Sequence, residues 1–187
     1  MTVRTHYFNE SSPKHTEKVL SIVREYIDGG ASISHIVVAT TEGDTGLRAA
    51  KRFSDKDVIV VTHQTGFIAP NENELSDEKR RMIEEAGGRV LTATHALAGV
   101  ARSFRKFAET WTPTEIMAIA LRTFGQGTKV CVEIAMMAAD AGLVPIYTDV
   151  IYIGGNRMGS GHGVDRETSQ LTRIPGYQDA GVSVQTE

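Results

Sequence analysis

The chain has a single cysteine, Cys131, so no disulfide can close within it, and this fits a reducing compartment. No apolar run approaches the ~18 residues that a membrane span needs, and no basic-then-apolar segment opens the chain. These absences lead us to expect a cytoplasmic, soluble protein with neither signal peptide nor membrane partner. Basic residues are neither in excess nor clustered. Twenty Lys and Arg against 23 Asp and Glu leave a net charge of -3 and a pI of about 6.1, so nucleic acid is not an expected partner. The glycine–lysine pair of a Walker loop is missing, as is a dinucleotide GxGxxG. The six histidines are scattered without ligand spacing, and no metal is expected.

What is present is organised around residues 35–48. Ile36 to Ala39 form a continuous apolar run, the mark of a strand buried on both faces in a parallel sheet. Small and polar residues from Thr40 to Gly46 then turn the chain into a helical segment, Leu47 to Phe53. A strand, a glycine turn and a helix together aim backbone N–H groups at an anion. Gly43 and Gly46 allow the bend, and Thr40, Thr41 and Thr45 add hydroxyls. The segment is a candidate site for a phosphate-bearing small molecule, although a plain structural turn would use the same residues.

The rest of the chain repeats the alternation. Tyr7 and Phe8 suit a short edge strand, and Ser12-Pro13 opens a helix that Gly29-Gly30 closes. Residues 57–63 and 89–95 are further strands, separated by a long loop over 64–74 and a charged helix that Ser76 caps. Residues 96–124 are helical with a break near Trp111-Thr112-Pro113, and Gly125-Gln126-Gly127 makes a turn. An Ala/Met-rich helix over 130–141 leads into a strand over 149–155. This predicts one domain over residues 1–187, an α/β fold of three αβα layers with a mostly parallel sheet. At 187 residues it is long enough to bury roughly 70% of its unfolded surface. The strands ending at Ala39 and Ile153 both run into glycine turns, so they are expected to lie side by side and form the ligand crevice. The tail over 155–187 is expected to be irregular, with one edge strand at Val182 and Val184.

Three strings carry a resemblance: Ile36-Val37-Val38-Ala39-Thr40-Thr41-Glu42-Gly43-Asp44-Thr45, Val60-Val61-Thr62-His63-Gln64-Thr65-Gly66-Phe67, and Leu91 to Val100. With Phe124-Gly125-Gln126-Gly127, Met137 to Gly142 and Ile153-Gly154-Gly155, they resemble stand-alone proteins related to the C-terminal α/β domain of pyruvate kinase. The likeness covers about residues 7–155. In pyruvate kinase this domain makes subunit contacts and, in many members, holds a sugar-phosphate effector in a Thr/Ser/Gly loop that matches Thr40 to Thr45. The resemblance implies this fold and a nucleotide-like phosphate ligand, with FMN a candidate cofactor. It implies no pyruvate kinase activity, because the ~250-residue barrel that would carry phosphoryl transfer does not fit in the chain. Glu42 and Asp44 stand where the kinase loop often carries basic residues.

The expected ligand contacts are Thr40, Thr41, Gly43, Asp44, Thr45, Gly46, Gly154 and Gly155. A carboxylate about 6 Å from a phosphate charge costs roughly 3 kcal/mol at an effective dielectric near 20. Glu42 and Asp44 should therefore point away, bind sugar hydroxyls or cap the helix, and Asp44 is read as the helix N-cap. His63, His95 and Glu42 are the weak candidates for acid–base chemistry, while a histidine at a strand end is more often hydrogen-bonded scaffold. Cys131 is read as a buried small apolar residue, and Glu133 as a capping or interface group. Three functions compete: a non-catalytic sensor or carrier of a phosphorylated molecule, an enzyme acting on one, and a homo-oligomeric assembly domain with a vestigial site.

Overall fold

The computed structural model describes residues 5–8, 15–155, 170–174 and 183–186, with side chains for 15–155. In chain order the elements are β1 (Thr5–Phe8), α1 (His15–Asp28), β2 (His35–Ala39), α2 (Asp44–Arg52), β3 (Asp57–Thr62), α3 (Asp77–Glu85) and β4 (Gly88–Thr92). There follow α4 (Gly99–Ala108), α5 (Pro113–Arg122), α6 (Gln126–Asp140), β5 (Val150–Gly154), β6 (Gln170–Ile174) and β7 (Ser183–Thr186). The strands join in the order β1-β7-β6-β5-β2-β3-β4. The central four, β5-β2-β3-β4, are all parallel, and β6 runs antiparallel to both of its neighbours.

Strand alternation explains the layers. Ile36 and Val38 of β2, Val58 and Val60 of β3 and Ile151 and Ile153 of β5 face α1 and α2, where Val19, Leu20, Val23, Ala49, Ala50 and Phe53 complete one core. The intervening Val37, Ile59, Val61, Val150 and Tyr152 face Cys131, Ile134, Ala135 and Ala138 of α6. Both faces of the central strands are thus dry, which is why their sequences read as unbroken Val/Ile runs. The predicted three-layer α/β fold with a mostly parallel sheet is the fold observed. The neighbouring of the strands that end near Ala39 and Ile153 is also observed, as a parallel pairing from His35↔Val150 to Val38↔Ile153.

Several local expectations need correction. Asp44 is not the N-cap of α2 but its first residue. Gly43 holds the cap position with φ 100°, a left-handed conformation that favours glycine, and it offers no side chain. Thr40 supplies the missing cap: its Oγ1 accepts from the amides of Gly43 (3.1 Å) and Gly46 (3.4 Å). Asp44 instead receives the Lys79 ammonium at 2.7 Å. Helix α6 starts at Gln126, so of the expected glycine turn only Gly125, with φ 113°, lies outside the helix. Gly127 sits in its first turn because strand β5 passes too close for a side chain: a Cβ on Gly154 would come within 2.9 Å of the Gly127 carbonyl oxygen.

Strands β3 and β4 end at Thr62 and Thr92, leaving His63 and His95 in the loops beyond. The tail carries two strands rather than one, and β7 lies inside the sheet between β1 and β6. Their pairing partners are far away in sequence, so local pattern gave no warning of them. The expected start at Ser12-Pro13 lies outside the described residues. Among the described residues, no helix is long and apolar enough to cross a membrane.

Candidate functional site

Adjacent strands β2 and β5 send their helices to opposite faces, and a cavity of about 400 Å³ opens where their carboxyl ends part. That volume lies in the range of small-molecule sites. Thr40, Thr41 and Thr45 line it on one side, and Gln126, Lys129 and Val130 from the first turn of α6 line it on the other. The N-termini of two helices, one from each face of the sheet, therefore meet at one cavity. With the Gly46 amide bonded to Thr40 and that of Leu47 to the Gly43 carbonyl, the amides of Asp44 and Thr45 are the remaining first-turn donors of α2. Arg102 from α4 and Arg122 from α5 add two guanidinium groups at the exposed mouth.

The floor is a buried ion pair. Lys129 and Glu133, one helical turn apart on α6, are in contact and are each only 6% exposed at the side chain. The second carboxylate oxygen of Glu133 accepts from the Leu97 amide at 3.1 Å, so the pair also holds the loop before α4. Burial pulls the Lys129 ammonium below its usual range, and the Glu133 carboxylate opposes that pull.

The third wall is aromatic. The His63 ring lies 4.2 Å from Phe67 and 5.3 Å from His95, centre to centre. The loop after β3 is tied down to make this cluster: Asn73 donates to the His63 carbonyl, and Gln64 accepts from the His95 amide at 3.2 Å. Glu74 Oε2 meets His63 Nδ1 at 2.5 Å, which leaves Nε2 as the other ring nitrogen. Burial pushes His95 down to about 4, and the neighbouring charges of His63, Lys129 and Arg102 act in the same direction against Glu133. At neutral pH His95 is therefore an uncharged ring.

Of the residues expected from sequence, Thr40, Thr41, Thr45, Gly154, Gly155, His63 and His95 line the cavity. Gly43, Asp44, Gly46 and Glu42 do not. A Cβ on Gly43 would meet Leu75 at 2.6 Å, and one on Gly46 would meet Val60 at 2.5 Å, so both glycines serve helix packing. Sequence reasoning missed Phe67, Arg102, Arg122, Gln126 and Lys129. The signal for Lys129 was available: a Lys and a Glu four residues apart inside an otherwise apolar helix should pair. Nothing local marked the two arginines. Among the described residues no group of three or more metal-ligating side chains converges.

Solved structures with detectable likeness include an O-ureido-L-serine synthase (16% identity; 70% of this chain, 48% of that one; TM-score 0.33). Another is a hydrogen sulfide-producing enzyme from Fusobacterium nucleatum (18% identity; 55% of this chain, 30% of that one; TM-score 0.31). This chain thus spans less than half of either enzyme, and at such scores the likeness carries no argument about function. The family comparison is decisive, since the model of the pyruvate kinase alpha/beta domain matches residues 17–165 and so takes in every element from α1 to β5. With that match and the parallel sheet it describes, the chain belongs to the pyruvate kinase alpha/beta domain family.

Proposed function

We propose that this cavity binds a phosphorylated small molecule, either FMN-like or sugar-phosphate-like, and that the protein is a non-catalytic sensor or carrier. The supporting observation is the convergence of two helix N-termini and two arginines on one cavity. Each feature favours an anion, and together they offer charge-assisted hydrogen bonds of about 1.5–3 kcal/mol each. The nearby carboxylates do not cancel this attraction: Glu133 is neutralised by Lys129, and Asp44 is held by Lys79 outside the cavity. The residues also fit a flavin. The Phe67–His63–His95 cluster offers flat ring faces to a planar heterocycle at one end, and the basic groups suit a phosphate at the other. FMN bound there would supply redox chemistry; the chain's own contribution is to hold and orient it.

Titration calorimetry with matched pairs tests the reading: FMN against riboflavin, and sugar phosphates against their parent sugars. Each phosphorylated partner that binds should bind at least tenfold more tightly than its dephosphorylated form, a difference of about 1.4 kcal/mol. Equal affinities within every pair would refute the anion site.

A second reading is favoured by the His63–Glu74 contact. A carboxylate that orients one imidazole nitrogen leaves the other as an acid–base group, the arrangement used in general catalysis. Under this reading a bound phosphorylated compound is converted. Product analysis after prolonged incubation, with His63→Ala as control, separates enzyme from carrier.

A further inference from the structure

Helix α4 presents a contradiction. Its sequence is amphipathic, with Val100, Phe104 and Phe107 spaced i, i+4, i+7 along one stripe, yet none of its residues is buried. Those three side chains are 82%, 52% and 88% exposed. Helix α5 buries only Glu115 and Ala118, while Ile116 and Ile119, on its own i, i+3 stripe, are 56% and 45% exposed. Trp111, in the turn between the two helices, is 58% exposed. Isolated ten-residue helices are marginal in water, and most helical stability comes from packing an apolar face. Here the apolar faces are the uncovered ones.

We propose that the α4–α5 face is covered by a second copy of this chain, packed about a two-fold axis. The area is consistent with that occupant. Taking about 200 Å² for a whole aromatic side chain and about 120 Å² for an aliphatic one, these six residues expose roughly 600 Å² per copy. A pair would bury roughly 1,200 Å², the lower bound for specific, stable interfaces, before any polar rim is counted. Self-matching is also built into the charges. Lys106 and Glu109 are both exposed and bracket Phe107 with opposite signs, so a two-fold axis can bring each against its opposite on the other copy. The buried Glu115 pairs with Arg105 at 2.7 Å, and the Arg105 guanidinium lies 5.0 Å from the Trp111 ring, which joins the two helices into one unit.

The interface has a consequence for the cavity, and this part rests on the reading given above. Arg102 and Arg122 stand on α4 and α5, so mating two copies would fix the outer wall that carries both guanidiniums. Neither helix has a core of its own to fix it.

Sedimentation velocity of the full chain over about 1–100 µM tests the association without any ligand. The parent should sediment as a dimer. The double variant Val100→Glu/Phe107→Glu, altered only at exposed positions, should sediment as a monomer with unchanged far-UV circular dichroism. Amide exchange over residues 99–122 should be slow in the parent and at least tenfold faster in the variant. A parent that stays monomeric at the highest concentration overturns the proposal and hands the face to a different partner. A double variant that dimerises as tightly as the parent, or unchanged exchange in a monomeric variant, overturns it as well. The calorimetric comparison of phosphorylated and dephosphorylated compounds is independent of these outcomes, so the two readings can fail separately.

Discussion

Replacing Lys129 by Met probes the floor of the cavity through stability alone. Met roughly matches the lysine stem in volume, so packing changes little. What changes is Glu133, whose side chain is 6% exposed and would lose its only buried cationic neighbour on α6. Removing one partner of a buried ion pair typically costs 3–5 kcal/mol, because the remaining charge is neither hydrated nor neutralised. For a domain of this size each kcal/mol lowers Tm by about 2–4 °C, so calorimetry should record a fall of roughly 10 °C. The double variant Lys129→Met/Glu133→Gln should recover most of that loss. Gln removes the charge but keeps an oxygen for the Leu97 amide, which would otherwise be orphaned at about 1–3 kcal/mol. A single variant within about 1 kcal/mol of the parent would refute the claim that this pair is desolvated and coupled.

Other expectations follow from the same geometry. His95 titrates near 4 in the fold against 6.5 unfolded, so the unfolded chain takes the proton first as pH falls. Its contribution is fully present above pH 6.5 and is lost on descending to about 4; after discounting for partial exposure the loss is about 1–2 kcal/mol. Denaturant titrations at pH 7 and pH 4.5 should differ less for His95→Asn than for the parent, and an identical difference would exclude His95 as the source. Gly154→Val should destabilise by about 1–3 kcal/mol, since its Cβ would press on the Gly127 carbonyl and the Cys131 amide, backbone atoms that cannot step aside. Gly43→Val should lower Tm without selectively weakening ligand affinity in the fraction that stays folded, because its side chain would point at Leu75 and away from the cavity. Selective loss of affinity with unchanged Tm would reverse that assignment.

The fold was legible because its core strands are buried on both faces, and no other element writes Ile-Val-Val-Ala or Val-Ile-Val-Val so plainly. The crevice was legible for a related reason: the two strands flanking the switch in winding both run into glycine, and they are neighbours. The site was legible in halves. Thr40, Thr41 and Thr45 lie in the same short stretch as the first strand, so local order was enough to find them. The arginines lie on helices whose placement depends on how residues 99–122 dock, and a local pattern cannot say which side of an amphipathic helix meets a cavity. Glycine carried an ambiguity of its own. At Gly43 and Gly46 it reads the same whether a ligand or a neighbouring helix needs the room, and here Leu75 and Val60 need it.

The central claim is that a phosphate sits between the first turns of α2 and α6. A crystal structure with saturating FMN or sugar phosphate tests it most directly. The account predicts phosphate oxygens within about 3 Å of the Thr45 amide or hydroxyl, with Arg102 or Arg122 closing over them. A cavity filled by the protein's own side chains, or a phosphate bound elsewhere on the surface, would contradict it.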